Sequence, residues 1–331
     1  MNTLLLGTDN KDLARASDIL RSGGLVAIPT ETVYGLGANA FDKNACTNIF
    51  AAKGRPADNP LIVHISHRSQ LKDIVTEVNE NAQKLMDTFW PGPLTIVMKK
   101  SDNIPSEVSA GLDTVAVRMP SHKVAQTLLD MCGLPVAAPS ANTSGKPSPT
   151  TAKHVFDDMN GRIDAIVDGG SCEVGLESTV IDVTEDIPKL LRPGGVTYEQ
   201  LCEVLGTVIK NYEFKDGEIP KSPGVKYKHY APKAELYVVK GNILEYVNRI
   251  QTKYKKIGVL CHNKYNMPEN CSVKYMGDNP DEYANTFFAH LRAFDVEDVE
   301  IIFAEDVDDK GINLAVSNRL YKSAGYKFIE A

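Results

Sequence analysis

The sequence predicts a two-domain α/β protein, with a twisted mixed sheet and flanking helices first and a small Rossmann-like, doubly wound domain after it. Three observations predict this. The chain has 331 residues, more than one hydrophobic core comfortably serves. Helical and strand patterns alternate from the start, yet several strands follow one another with no helix between them, which favours a mixed sheet over a strictly parallel one. Between residues 211 and 233 the apolar period stops, and Pro220, Pro223, Gly224 and Pro232 fall there. That composition reads as an interdomain linker. The expected organisation is therefore a first domain over 1–210, a linker over 211–233 and a second domain over 234–331.

The elements follow in order. Lys11 to Arg21 carries Leu13, Ala16, Ile19 and Leu20 on one helical face and is stopped by Gly23-Gly24. Leu25–Ile28 reads as a buried strand running into Pro29. Lys43–Ala52 is a short helix that delivers Lys53 at its end, and Leu61–Ile65 is a strand. Glu80–Phe89 is a helix stopped by Pro91-Gly92-Pro93, with Leu94–Met98 the strand after it. Thr114–Arg118 is a strand, Lys123–Met131 a helix and Pro135–Ala138 a strand. Thr150 or Thr151 caps a helix through Met159. Ala165–Asp168, Thr179–Val183 and Lys189–Leu191 are strands, and Tyr198–Leu205 is a helix. Past the linker, strands at Glu235–Val239, Lys256–Cys261, Val273–Met276 and Ile301–Glu305 alternate with helices at Ile243–Tyr254, Pro280–Phe294 and Leu314–Ala324. This order suits a small doubly wound domain, and without G-x-G-x-x-G it earns no dinucleotide assignment.

Composition excludes several function classes. Hydrophobic residues make up 43% and charged residues 24%, and the net charge is −7, so no global basic field recruits nucleic acid or a membrane surface. No apolar run approaches a membrane span, and Met1 to Asn10 lacks the pattern of a signal peptide. The six cysteines form no C-x-x-C pair and are expected as free thiols in a cytoplasmic protein. His64 and His67 have no second ligand pair nearby, so no structural metal site is expected.

Chemistry concentrates in a few segments. Lys53-Gly54-Arg55 joins a point charge and a planar fork, a combination suited to polyphosphate. By itself the pair also reads as a solvated loop, and it is expected to face solvent or ligand. Pro29-Thr-Glu-Thr-Val-Tyr-Gly-Leu-Gly37 follows a buried strand and gathers hydroxyls, a carboxylate and a phenol, as ligand loops of α/β proteins do. Pro139-Ser140-Ala141-Asn142-Thr143-Ser144-Gly145 is rich in small donors and leads to Ser148. Arg118 and Arg192 each leave an apolar strand and must meet an anion or water; an internal salt bridge fits them equally. His64, inside Leu61-Ile-Val-His-Ile65, reads alone as a satisfied core residue.

Taken jointly, Pro29–Gly37, Lys53-x-Arg55, Pro60–Ile65, Val115–Pro120, Pro139–Gly145, Glu177-Ser-Thr-Val180 and Leu191-Arg-Pro-Gly194 resemble the signature series of the threonylcarbamoyl-AMP synthase (L-threonylcarbamoyladenylate synthase) family, with its YrdC-like fold. Ser222–Pro232 and Asn318-Arg-Leu320 resemble the longer two-domain subclass. The resemblance implies a nucleotidyltransferase that joins L-threonine, bicarbonate or carbon dioxide, and ATP into threonylcarbamoyl-AMP and pyrophosphate. A separate tRNA threonylcarbamoyl transferase complex would then modify tRNA next to the anticodon. It also implies Mg²⁺ carried on the ATP phosphates, with no chain ligands named for it. Carried over residue by residue, Lys53 and Arg55 serve catalysis. Thr32, His64, Arg118, Ala138 (through its backbone) and Ser178 surround L-threonine. Arg55, Asn59, Thr114, Ser140, Asn142, Ser148, Arg192 and Tyr230 contact ATP. Tyr230 lies in the linker, which on this reading is a lid that keeps water from a mixed anhydride.

Two other classes remain open from sequence. One is a carbamoyl-adenylate-handling enzyme of hydrogenase maturation, which calls for acylphosphatase and zinc-finger segments that the chain lacks. The other is an RNA-binding module without turnover, or a weak contact to tRNA or double-stranded RNA beside catalysis. It needs a clustered basic surface that an acidic total disfavours.

Overall fold

The computed structural model describes residues 2–56, 58–210, 221 and 230–331. Most of the linker expected over 211–233, including Ser222–His229, therefore lies outside the described residues. The chain forms two compact units. One takes Met1–Ser144, Pro149–Glu173 and Glu177–Lys226; the other takes Gly145–Ser148, Val174–Leu176 and Tyr227–Ala331.

The first unit is built on ten strands: β1 (Leu4–Leu6), β2 (Val26–Ile28), β3 (Gly35–Asn39), β4 (Ile62–His64), β5 (Leu94–Lys99), β6 (Thr114–Arg118), β7 (Val136–Ala137), β8 (Ala165–Val167), β9 (Thr179–Asp182) and β10 (Lys189–Arg192). They form one sheet in the order β1-β8-β2-β3-β7-β4-β6-β5-β9-β10. It is mixed, as the sequence predicts: β4 runs parallel to β6, whereas β5 runs antiparallel to β6. The helices are α1 (Asn10–Arg21), α2 (Lys43–Lys53), α3 (Glu80–Phe89), α4 (Ser106–Ser109), α5 (Lys123–Cys132), α6 (Ala152–Met159) and α7 (Tyr198–Leu205).

Local chemistry sets these boundaries. Asp9 caps α1 by accepting from the Lys11 and Asp12 amides, and Thr151 caps α6 by accepting from the His154 amide. A Thr197–Gln200 capping box opens α7. Leu13, Ala16 and Leu20 of α1 and Leu128 and Leu129 of α5 pack on Leu6, Val26, Ile28, Ala165 and Val167 of the sheet. Burying such a side chain stabilises the fold by about 1.5–3 kcal/mol.

The sequence reading misses β1 and β3. β3 reads Gly-Leu-Gly-Ala-Asn, with no alternation and two glycines, so only its neighbours β2 and β7 declare it a strand. The polar loop expected over Pro29–Gly37 accordingly ends at Tyr34.

The second unit holds β11 (Glu235–Lys240), α8 (Ile243–Ile250), β12 (Ile257–Cys261), β13 (Cys271–Tyr275), α9 (Pro280–Glu297), β14 (Ile301–Glu305), α10 (Asn313–Ala324) and β15 (Phe328–Glu330). Its sheet is parallel throughout, in the order β13-β12-β14-β11-β15, so β14 separates β11 from β12. Val239, Ile243, Val247, Ile257, Val259 and Phe303 fill its core. β15 was not foreseen, because its short edge sequence buries little. The helix expected over Ile243–Tyr254 ends at Ile250 in a short 3₁₀ turn. All six cysteines are free thiols. Among the described residues, no helix is long and apolar enough to cross a membrane.

Candidate active site

The sheet of the first unit draws a line of chemistry across six strands. Val136 pairs with His64, His64 with Arg118, Arg118 with Thr95, Thr95 with Val180, and Val180 with Arg192. Directly opposed residues share a face. Strand periodicity then places Ile62, Ala116 and Val97 on that same face, where they pack with Val180 as a small apolar patch. His64, Arg118, Thr95 and Arg192 therefore stand in one row beside an apolar floor. Arg192 reaches the row because the register shifts between Leu190 and Arg192. Without that bulge Leu191 would oppose Val180, and Arg192 would face the other way.

Arg118 is 3% exposed and stands beside His64 near one end of the row. Its Nη2 lies 2.7 Å from Glu31 Oε1, its Nη1 donates to Thr32 Oγ1 at 2.8 Å, and its Nε donates to the Gly92 carbonyl at 3.2 Å. A guanidinium carries five N–H donors, so donors remain for an incoming carboxylate. Burial by itself would raise the Glu31 carboxyl. The charge and hydrogen bond of Arg118 outweigh it and hold Glu31 below the usual carboxylate range. The internal ion pair that the sequence allowed for Arg118 is present.

His64 is buried beside this pair, and its Nδ1 lies 3.1 Å from the Ile62 carbonyl. Burial, reinforced by the Arg118 charge, pushes its imidazole down to about 3. The ring is therefore neutral and carries a single N–H, which the Ile62 carbonyl can accept. Cys172 is pushed up to about 12 by burial and the nearby Glu31 charge. It stays a thiol and supplies no thiolate nucleophile.

At the other end of the row, Arg192 donates from Nε to the Ser178 carbonyl at 3.0 Å and from Nη2 to Ser178 Oγ at 3.1 Å. Ser178 Oγ also lies 2.8 Å from Thr95 Oγ1. The turn after Arg192 approaches very closely: a Cβ on Gly194 would come within 2.3 Å of the Thr179 amide nitrogen. Only glycine fits there.

Lys53 departs from expectation. It is the last residue of α2 and is 2% exposed, not on a loop facing solvent. Gly54 caps the helix in the left-handed conformation, at φ 61°. The ammonium of Lys53 donates to the Ser140 and Asn142 carbonyls, each at 2.6 Å, and the Lys53 carbonyl accepts from the Ser144 amide at 3.0 Å. Lys53 thus holds the 140–144 loop at both ends. Within that loop the Ser140 hydroxyl donates to Asn142 Oδ1 at 2.6 Å.

The remaining candidates divide. Ala138 donates its amide to the Ile62 carbonyl at 2.8 Å, next to His64. Thr114 is buried at the far end of β6, on the face of Arg118. Arg55 is half-buried just beyond Gly54, and Asn59 is fully buried. Ser148 and Tyr230 belong to the second unit, where the Tyr230 ring lies 5.1 Å from Phe288. Among the described residues no three His, Cys, Asp or Glu side chains stand together as a metal-holding group. Sequence reasoning missed Glu31 as the partner of Arg118, and it missed Thr30 and Thr95. A threonine inside an apolar strand reads simply as a good strand former, so Thr95 carries no signal of its own.

Known proteins resemble this chain along nearly its full length. A family model named Sua5_yciO_yrdC and described as telomere recombination matches residues 18–194. One described as threonylcarbamoyl-AMP synthase, C-terminal domain, matches residues 196–325. A Pyrococcus abyssi protein named threonylcarbamoyl-AMP synthase is 49% identical over 95% of this chain and 94% of its own. A Bacillus subtilis protein of the same name is 47% identical over 98% of this chain and 96% of its own. The crystal structure of P. abyssi Sua5 complexed with L-threonine matches with a TM-score of 0.92 at 46% identity, covering 99% of this chain and 100% of that one.

Proposed function

The chain belongs to the family of Sua5, YciO and YrdC proteins, and from that premise we propose that it is a threonylcarbamoyl-AMP synthase acting as a nucleotidyltransferase. Its substrates are L-threonine, bicarbonate or carbon dioxide, and ATP. The observation that carries the reading is the buried cluster of His64, Arg118 and Arg192 in the row, with Thr32 against Arg118 and Ser178 against Arg192, in a chain whose relative holds L-threonine.

The chemistry follows from charge. The threonine nitrogen bonds to the carbon of carbon dioxide and gives up a proton, forming an N-carboxylate. One oxygen of that carboxylate attacks the α-phosphorus of ATP. The bond to the β-phosphate breaks, and pyrophosphate leaves. Several anions share one cleft, so fixed cations and oriented donors supply the catalysis, with no covalent intermediate on the protein. Arg118 is suited to the amino-acid carboxylate, because Glu31 already holds it in place. With His64 neutral and Glu31 offsetting Arg118, this end of the row carries no net charge, which suits a zwitterion. Arg55 and Arg192 offer the charge for phosphate and carbamate oxygens. Lys53 contributes by fixing the Ser140–Asn142 loop, whose amides and hydroxyls suit phosphate. Asn59, Thr114 and Ser148 complete the ATP set, and Ala138 with Ser178 the threonine set.

Carried on the ATP phosphates, Mg²⁺ would neutralise charge there. The hydroxyl and amide oxygens of the 140–144 loop are hard donors compatible with its water shell. Tyr230 belongs to the same ATP set on the family resemblance, and Tyr230→Ala is expected to raise the KM for ATP. The product passes to a separate tRNA-modifying transferase in the cytoplasm. Pyrophosphate release tests the reading: it should require L-threonine and bicarbonate together. Release indifferent to threonine sinks it.

A further inference from the structure

We propose that Thr30 is a positioning residue that fixes the Thr32 hydroxyl as a hydrogen-bond acceptor for the substrate's α-nitrogen. The inference rests on the reading of this pocket as an L-threonine site.

The argument is a count of protons. Thr30 Oγ1 lies 2.6 Å from the Val33 carbonyl. A carbonyl only accepts, so the single hydroxyl proton of Thr30 sits on that bond. Thr30 Oγ1 and Thr32 Oγ1 are 2.9 Å apart. Thr30 has no second proton to give, so Thr32 donates in that contact. Arg118 Nη1 lies 2.8 Å from Thr32 Oγ1, and a guanidinium only donates. The Thr32 proton is therefore directed at Thr30 Oγ1, which also accepts from the Thr32 and Val33 amides at 3.2 and 3.3 Å, and one of the Thr32 lone pairs is taken by Arg118. What Thr32 has left is a lone pair. Both threonines are buried, and the Val33 carbonyl and the Arg118 guanidinium fix these roles.

A substrate group that meets Thr32 must then be a donor. A carboxylate or phosphate oxygen there would set acceptor against acceptor. Arg118, in contact with Thr32, has donors for the substrate carboxylate. In an α-amino acid the donor nearest that carboxylate is the α-nitrogen, on the same carbon. The nitrogen keeps one N–H after N-carboxylation, so the match survives until the carbamate attacks phosphorus. Thr30 itself need not touch the substrate. It acts by denying Thr32 the donor role.

The experiment measures pyrophosphate release against L-threonine and, separately, against ATP. It compares wild type, Thr30→Val, Thr30→Ala and Thr30→Ser. Without the Thr30 hydroxyl, the Thr32 proton turns toward the pocket and opposes the substrate N–H. The KM for L-threonine should rise about tenfold in Thr30→Val and Thr30→Ala, with the KM for ATP held within about twofold. Thr30→Ser should return to the wild-type value. If Thr30→Val fails to fold, the Ala and Ser variants decide. An unchanged threonine KM in the folded Ala variant overturns the inference. So does a Ser variant as impaired as Ala, which would assign the effect to loop packing. A wild type that releases pyrophosphate without threonine instead overturns the substrate reading on which the inference stands.

Discussion

Lys53 was expected to face solvent or ligand, and its burial reverses the consequence of removing it. Its ammonium satisfies two backbone carbonyls of the 140–144 loop. Lys53→Ala leaves those acceptors without their cation, at a cost of about 1–3 kcal/mol. The denaturation midpoint should fall together with activity. An unchanged midpoint with activity lost would return Lys53 to a purely ligand-facing role. His64 gives a pH prediction with a definite sign. Its folded value of about 3 lies below the ordinary 6.5. Between those values the unfolded chain binds a proton that the native chain refuses. Stability should therefore fall as pH drops from 6.5 toward 3. His64→Gln should flatten that slope in urea titrations run across the window. Equal slopes in both proteins would contradict the assignment. The sequence marked Arg118 and Arg192 because polar groups leaving apolar strands must find partners, and His64 only through the family resemblance. It did not reveal which partners they take: Glu31 meets Arg118 only through the fold.

At the scale of elements, β10 and its following turn show what pattern reading misses. Lys189–Arg192 looks like an ordinary strand, and the bulge that turns Arg192 into the row leaves no mark in composition. Gly194 was visible as a glycine but not as a necessity. The necessity comes from the Ser178–Thr179 backbone beneath it, a contact fixed by how β9 and β10 pair. Gly194→Ala should push this turn outward, carrying Arg192 away from Ser178. Activity should drop at least about tenfold, since positioning errors of about 1 Å are costly in an active site. Near-normal turnover in that variant would show that the Arg192–Ser178 geometry is dispensable. The helices were far more legible. Caps and amphipathic faces lie within a few residues of each other, so α1, α3 and α5 could be drawn almost to their ends. β3 could not, because its evidence lies on β2 and β7.

At the scale of the molecule, an acidic chain of net charge −7 keeps its cations local. Lys53, Arg118 and Arg192 are all buried. The first unit holds both the sheet row and the Lys53-bound loop, and the second unit is a parallel sheet of its own. The alternation of patterns made this two-part α/β organisation readable. The strand order of each sheet was not, since it depends on contacts between distant segments. The central claim is that the buried cluster of Arg118, Thr32, His64, Ser178 and Arg192 serves threonine activation. One assay tests it most directly: pyrophosphate release from ATP by the purified chain, with L-threonine and bicarbonate each present or omitted. The account predicts release only when both are present. Equal release without L-threonine would contradict it.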